Sequence, residues 1–197
     1  MKSVLIPIHP KWCELIANGK KTIDVRKTRP KIKTPFKCYI YCTKQGRPLV
    51  YGSPCPTYVE ENLVQTYGYS KEKANEIFGC WNGKVIGEFV CDNIEVLFDT
   101  NGNPINYMKE IFPNILAKTQ LLHDEFAAYV GSRAEKNNIY GWHISDLKIY
   151  DEPKELSEFR MPIEFHRGKQ KENCQGCWDC EMKTSPKSWC YVESVIE

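Results

Sequence analysis

The chain has 197 residues, 42% of them hydrophobic, 12% aromatic and 26% charged, with a formal net charge of +2. Those proportions exclude a largely disordered chain and fit one globular domain, or one domain with an appendage. No apolar run approaches the roughly 20 residues of a membrane-spanning helix. The opening Met1–Ile8 stretch lacks the long apolar core of a signal peptide, so the expectation is a cytoplasmic protein with no membrane partner.

In chain order, Val4–Ile8 reads as a buried strand. Pro10 suits the first turn of a following helix, His9 lies beside its cap, and Gly19 is a natural stop. Trp12, Cys13, Leu15, Ile16 and Ala17 give that helix a broad apolar face. Thr22–Lys27 alternates as a strand, with Ile23 and Val25 on one face and Asp24 and Arg26 on the other. Phe36–Thr43 is a strand rich in aromatic and β-branched residues.

Residues 44–83, punctuated by Gly and Pro, read as an insertion with patchy helical character over Glu60–Phe78. Lys84–Phe98 predicts one long or bent strand with a bulge at Gly87. Residues 100–138 form a second insertion, with turn chemistry over Asp99–Asn106 and helices around Tyr107–Lys118 and His123–Val130. Ile139–Tyr150 is the last strong strand, and Pro153 then introduces a polar helix or turn. On this reading residues 1–165 form the domain and 166–197 a polar, cysteine-rich tail outside the core. Short strands with uneven connections favour an α+β fold, a mixed β-barrel with peripheral helices, over a doubly wound parallel sheet.

Charge is unevenly spread. Residues 20–37 hold Lys20, Lys21, Arg26, Lys27, Arg29, Lys31, Lys33 and Lys37 against Asp24 alone, a local charge of +7 that leaves −5 for the rest. Such a patch points to an anionic partner, with nucleic acid foremost. A solvated lysine-rich loop is the plain alternative.

The run Ile8-His9-Pro10, followed by Ile16-Ala17-Asn18-Gly19-Lys20-Lys21-Thr22-Ile23-Asp24-Val25-Arg26, resembles the opening motif of the ASCH (activating-signal-cointegrator homology) family. That family's pattern is Gly-x-Lys-x-x-Glu-x-Arg after a short helix; here it reads Gly19-x-Lys21-x-x-Asp24-x-Arg26. Gly87-Glu88-Phe89 and Tyr140-Gly141-Trp142-His143-Ile144 look like strands of its barrel. The resemblance covers roughly residues 3–150 and implies a PUA-like barrel with a cleft beside the first helix. It implies binding of RNA, a nucleotide or a nucleoside, and in some members hydrolysis. In one amidohydrolase branch a lysine and a threonine of this motif act with a distant glutamate. Lys21 matches that lysine, whereas Asp24 stands in the threonine's place.

Chemically, a carboxylate flanked by two cations is a poor proton donor but a good acceptor for an exocyclic amine. Lys21 and Arg26 suit phosphate or carbonyl oxygens. The expected ligand site is Lys21, Asp24 and Arg26, with His143 as a neighbour from the late strand and Trp12 and Ile16 as an apolar wall. If the protein is an enzyme, a ribonuclease or a nucleoside amidohydrolase, Lys21 and Asp24 are the catalytic candidates. A surface Asp24–Arg26 ion pair and a solvent-facing His143 are the structural alternatives.

Ten cysteines need a reading that fits a reducing compartment. Cys38 and Cys42 share a strand face as small hydrophobes, and Cys13, Cys55, Cys80 and Cys91 carry no pattern. The spacing Cys174-x2-Cys177-x2-Cys180-x9-Cys190 suits a structural zinc with four thiolates, with His166 able to replace one of them. An iron–sulfur cluster or free thiols are the alternatives.

Overall fold

A computed structural model describes residues 2–44, 49–50, 57–58, 81–98, 113–130, 138–165 and 180–193. The fold is α+β. A five-stranded mixed sheet has the order β10-β1-β3-β6-β9, from Lys2–Ile8 (β1), Phe36–Cys42 (β3), Lys84–Cys91 (β6), Ser145–Glu155 (β9) and Cys190–Glu193 (β10). Only β1 and β3 pair in parallel within it. A three-stranded antiparallel sheet has the order β2-β8-β7, from Ile23–Arg26 (β2), Ile94–Phe98 (β7) and Ile139–His143 (β8). Leu49–Val50 (β4) and Thr57–Tyr58 (β5) form a small separate ribbon.

The apolar run of β1 is buried on both faces, as a central strand requires. Val4, Ile6 and Ile8 enter one core with Cys38, Ile40 and Cys42, while Leu5 enters a second with Tyr39 and Tyr41. The first core is closed by helix α1 (Pro10–Ala17), through Cys13 and Ile16, and by Trp142 of the smaller sheet. Leu156, Phe159, Met182 and Val192 cover the second. A third cluster, Val25, Leu97 and Ile139, lies on the smaller sheet's other face against Ile115 of the helical stretch 113–119. Among the described residues no helix is long and apolar enough to cross a membrane.

Several expectations are corrected. Lys84–Phe98 is two strands in different sheets, turning at Asp92-Asn93, and 139–155 likewise splits at Ile144, with Asp146 at φ +46° as the second residue of β9. The apolar positions change phase at each corner, from Phe89 and Cys91 to Ile94 and Val96 and from Trp142 and Ile144 to Leu147 and Ile149. A one-residue slip also fits a bulge within one strand, so pattern alone does not tell a change of sheet from a bent strand. The register does shift at Gly87, where an added Cβ would sit 2.5 Å from the Lys148 carbonyl oxygen. Pro153 lies inside β9, tolerated because β9 is an edge strand. The two sheets enclose a common core, but closure into a barrel is not seen among the described residues.

The cysteine-rich end also differs from a peripheral tail. Cys190–Glu193 adds a strand to the main sheet against β1, and Val192 is fully buried. A polar composition hid this role because one or two inward side chains suffice for an edge strand. Glu60–Phe78 and Asp99–Asn106 lie outside the described residues.

Candidate functional site

The helix-to-strand junction builds the site. Pro10 opens α1 with His9 as its cap, the His9 Nδ1 accepting from the Lys11 amide at 3.4 Å. Gly19 closes it at φ +68°, a conformation that side-chain-bearing residues avoid, and nothing lies within 4 Å of where its Cβ would be. Backbone geometry, not space, therefore explains the glycine. The reversal folds the amides of Lys20 and Lys21 back onto the Leu15 carbonyl and sends Lys21 beneath the helix.

There the Lys21 ammonium donates to the Thr119 carbonyl at 2.8 Å, and the Thr22 amide donates to the Lys118 carbonyl at 2.9 Å. Both acceptors belong to the end of the helical stretch 113–119, whose free carbonyls favour a cation. Lys21 also sits 3.9 Å from Asp24 Oδ1 and 5.1 Å from the Trp12 ring. Burial pulls its pKa down to about 8, against the opposing pull of Asp24.

Asp24 Oδ2 accepts from Arg26 Nε at 2.6 Å. The Arg26 guanidinium also donates to backbone, Nη2 to the Pro7 carbonyl at 2.7 Å and Nη1 to the Ser188 carbonyl at 3.1 Å. Lys21 and Asp24 are only 3% and 5% exposed, so this is no surface ion pair. Cross-strand pairing explains the burial: Asp24 opposes Trp142 and Arg26 opposes Tyr140, so both charges project to the same face as Trp142.

These groups line a cavity of about 180 Å³ with Trp12 of α1, Pro7 and Ile8 at the end of β1, Leu121 and Tyr129. Tyr129 belongs to helix α2 (His123–Val130), which Lys11 ties to α1 through Glu125 at 2.6 Å. Lys27 lies 4.8 Å from the Tyr129 ring centre. Lys21, Asp24 and Arg26 thus line one cavity beside α1, with Trp12 in its wall, whereas Ile16 is buried in the first core and does not reach it. His143 does not join them. It opposes Ile23, which puts it on the other face of the strand pair, where its Nε2 meets Glu95 Oε1 at 2.8 Å. Leu121, Tyr129 and the Thr119 carbonyl escaped sequence reasoning, because no local pattern links positions about a hundred residues apart.

The basic patch separates into two populations. Lys21 and Arg26 face inward onto Asp24, and Lys37 pairs with Glu88 at 2.7 Å. Lys20, Arg29, Lys31 and Lys33 are exposed, Arg29 over the Tyr140 ring. Of the tail cysteines, Cys174 and Cys177 lie outside the described residues. Cys180 is buried and Cys190 half-buried, and burial pushes the Cys190 thiol up to about 11. Among the described residues no group of three or more His, Cys, Asp or Glu is placed to hold a metal ion.

The chain is similar to the crystal structure of the ASCH protein from Zymomonas mobilis, at a TM-score of 0.51 and 14% identity, over 97% of this chain and 87% of that one. Two single-substitution variants of the same protein match alike, at TM-scores of 0.52 and 0.51, with 15% and 14% identity. They cover 98% and 97% of this chain and 91% and 88% of theirs. The fold is that of an ASCH domain. No family model and no curated protein matches the chain by sequence. At this identity the ASCH likeness concerns architecture, and the chemistry of the cavity rests on the residues described above.

Proposed function

We propose that the α1–β2 cavity binds RNA, a nucleotide or a nucleoside. One observation supports this above the others: Lys21, almost fully buried, lines an open cavity beside Asp24, Arg26 and an aromatic wall. Burying an ammonium is costly, and a purely structural pair is often replaceable by apolar side chains. At about 180 Å³ the space lies below the ~300–1,000 Å³ of drug-sized sites, which suits one flat ring system rather than a whole nucleotide. Trp12, Leu121 and Tyr129 offer it apolar contact, Asp24 accepts from a base amine, and the two cations meet carbonyl or phosphate oxygens.

Calorimetric titration with nucleosides, nucleoside monophosphates and short oligoribonucleotides tests the reading. Lys21→Ala and Arg26→Ala should each weaken binding by about 1–3 kcal/mol. Asp24→Asn should alter base preference more than affinity. If all three bind as the parent does while remaining folded, the cluster is structural and the reading fails.

A hydrolase is the second reading, favoured by the lowered pKa of Lys21. A value of about 8 leaves part of the amine unprotonated near neutral pH, as a general base or nucleophile needs. Lys21 and Asp24 would then be catalytic. Turnover of an acetylated cytidine or a labelled RNA, abolished in Lys21→Ala, decides for it.

For the cysteine-rich end the proposal remains a structural zinc on Cys174, Cys177, Cys180 and Cys190. What supports it beyond spacing is that the segments carrying Cys180 and Cys190 both bond to residues 160–161, through Met161 N to Cys180 O and Glu193 N to Arg160 O. Elemental analysis of protein prepared without chelator should find one zinc per chain; metal-free protein with reduced thiols sinks the proposal.

A further inference from the structure

The two backbone carbonyls that receive the Arg26 Nη atoms come from adjoining parts of one sheet. Pro7 lies in β1, and Ser188 stands just ahead of β10, which pairs with β1. A guanidinium is a planar fork, so it keeps both bonds, and its bond to Asp24, only while those carbonyls hold their relative places.

Ser188 is exposed, and the residues that follow it anchor it. The Trp189 indole Nε1 donates to Thr28 Oγ1 at 2.9 Å, and the Lys31 amide donates to the Tyr191 hydroxyl at 2.8 Å. The Trp189 ring lies 6.1 Å from that of Trp142 and 5.4 Å, edge to face, from that of Tyr191, centre to centre. Thr28 and Lys31 belong to the loop that leaves β2, and Trp142 is the cross-strand partner of Asp24. Trp189 is therefore held between the loop after Arg26 and the strand beside Asp24.

We propose that Trp189 is a positioning residue of the α1–β2 cavity, keeping the Ser188 carbonyl where it fixes the Arg26 guanidinium against Asp24. The inference deepens the reading of that cavity as a ligand site, on which its binding arm rests, but its first readout needs no ligand.

Lys21 reports where Arg26 stands. The guanidinium charge favours release of the Lys21 proton, while Asp24 favours its retention. The other titratable groups lining the cavity among the described residues are His9, ahead of α1, and Tyr129, on α2. Burial lowers the pKa of the first and raises that of the second, so both are neutral where Lys21 titrates. A guanidinium that drifts from Asp24 leaves Lys21 with an unshared carboxylate, and the Lys21 pKa then rises.

The test titrates Lys21 by NMR in the full chain carrying isotopically labelled lysine, its signal assigned by its loss in Lys21→Arg. In the parent the midpoint lies at about 8. Arg26→Ala should raise it. Trp189→Ala should raise it by at least about half a pH unit, roughly threefold in proton affinity. Combining the two should add nothing to Arg26→Ala alone, because both act through one guanidinium. Thr28→Val removes the hydroxyl that Trp189 bonds and should move the midpoint the same way by less. Circular dichroism checks that each variant folds. Where Trp189→Ala does not, Trp189→Phe combined with Thr28→Val takes its place, and an unchanged midpoint there is equally decisive.

A folded Trp189→Ala protein with the parent's midpoint overturns the inference. So does an Arg26→Ala midpoint equal to the parent's, or a double variant whose shifts add. In calorimetry with nucleoside monophosphates, affinity should fall in Trp189→Ala as it does in Arg26→Ala; a loss in Arg26→Ala alone defeats the inference. A parent that binds none of them, with the titration shifts as expected, defeats the ligand reading and leaves the positioning of Arg26 by Trp189 standing.

Discussion

The two halves of the basic patch share a stretch of sequence and little else. In the inner half, Lys21 and Arg26 are desolvated, bonded to one carboxylate and to backbone carbonyls, and aimed into a cavity. In the outer half, Lys20, Arg29, Lys31 and Lys33 remain in water on the exposed strand end and loop. Counting charges gives every cation equal weight. Burial does not, because a group taken out of water responds strongly to each neighbour while one left in water is screened. The difference teaches that local charge signals a partner, whereas desolvation marks the place where a partner is recognised.

The sharpest way to break the inner half is to remove its shared anion. Asp24→Ala leaves the buried Lys21 and Arg26 without their carboxylate and should cost about 3–5 kcal/mol of stability. Urea unfolding measures it; a loss below about 1 kcal/mol would show that the two halves differ less than their burial implies. Next comes Lys21→Ala, with the expected binding loss of about 1–3 kcal/mol already stated.

A pH series sharpens the comparison without mutation. Lys21 releases its proton near 8 in the folded chain, below its ordinary 10.5, so any affinity that depends on its charge should fall as pH rises through about 8. The unfolded chain keeps that proton longer, so this group makes stability increase between about 8 and 10.5. Binding that stays flat from pH 7 to 9.5 would remove the Lys21 ammonium from recognition.

The smallest effect belongs to the outer half. Lys31→Ala with Lys33→Ala should shift stability by no more than about 0.5 kcal/mol per residue. If a bound oligoribonucleotide passes near them, each should also lower the salt slope by about 0.7 without changing base preference. A large change in base preference would mean that the outer loop takes part in recognition after all.

Much of the site's local frame was legible in the sequence: the β1 run, the Pro10 opening, the Gly19 stop, and the order of Lys21, Asp24 and Arg26 that follows it. Each rests on short-range chemistry, a helix start, a positive φ or a two-residue period, so nearby residues suffice to dictate it. Sequence reasoning placed His143 at the cleft because the alternation of its own strand says nothing about which face of the neighbouring strand it will share. Pairing decided that: Asp24 fell opposite Trp142 and His143 opposite Ile23, a register of one residue that separates cavity from far face. Tertiary structure likewise brought Thr119 and Tyr129 to Lys21, divided two apparent strands between two sheets, and drew Cys190–Glu193 onto β1. These are contacts between distant segments, fixed by which apolar faces bury together, and burial is a property of the assembled chain rather than of any stretch of it.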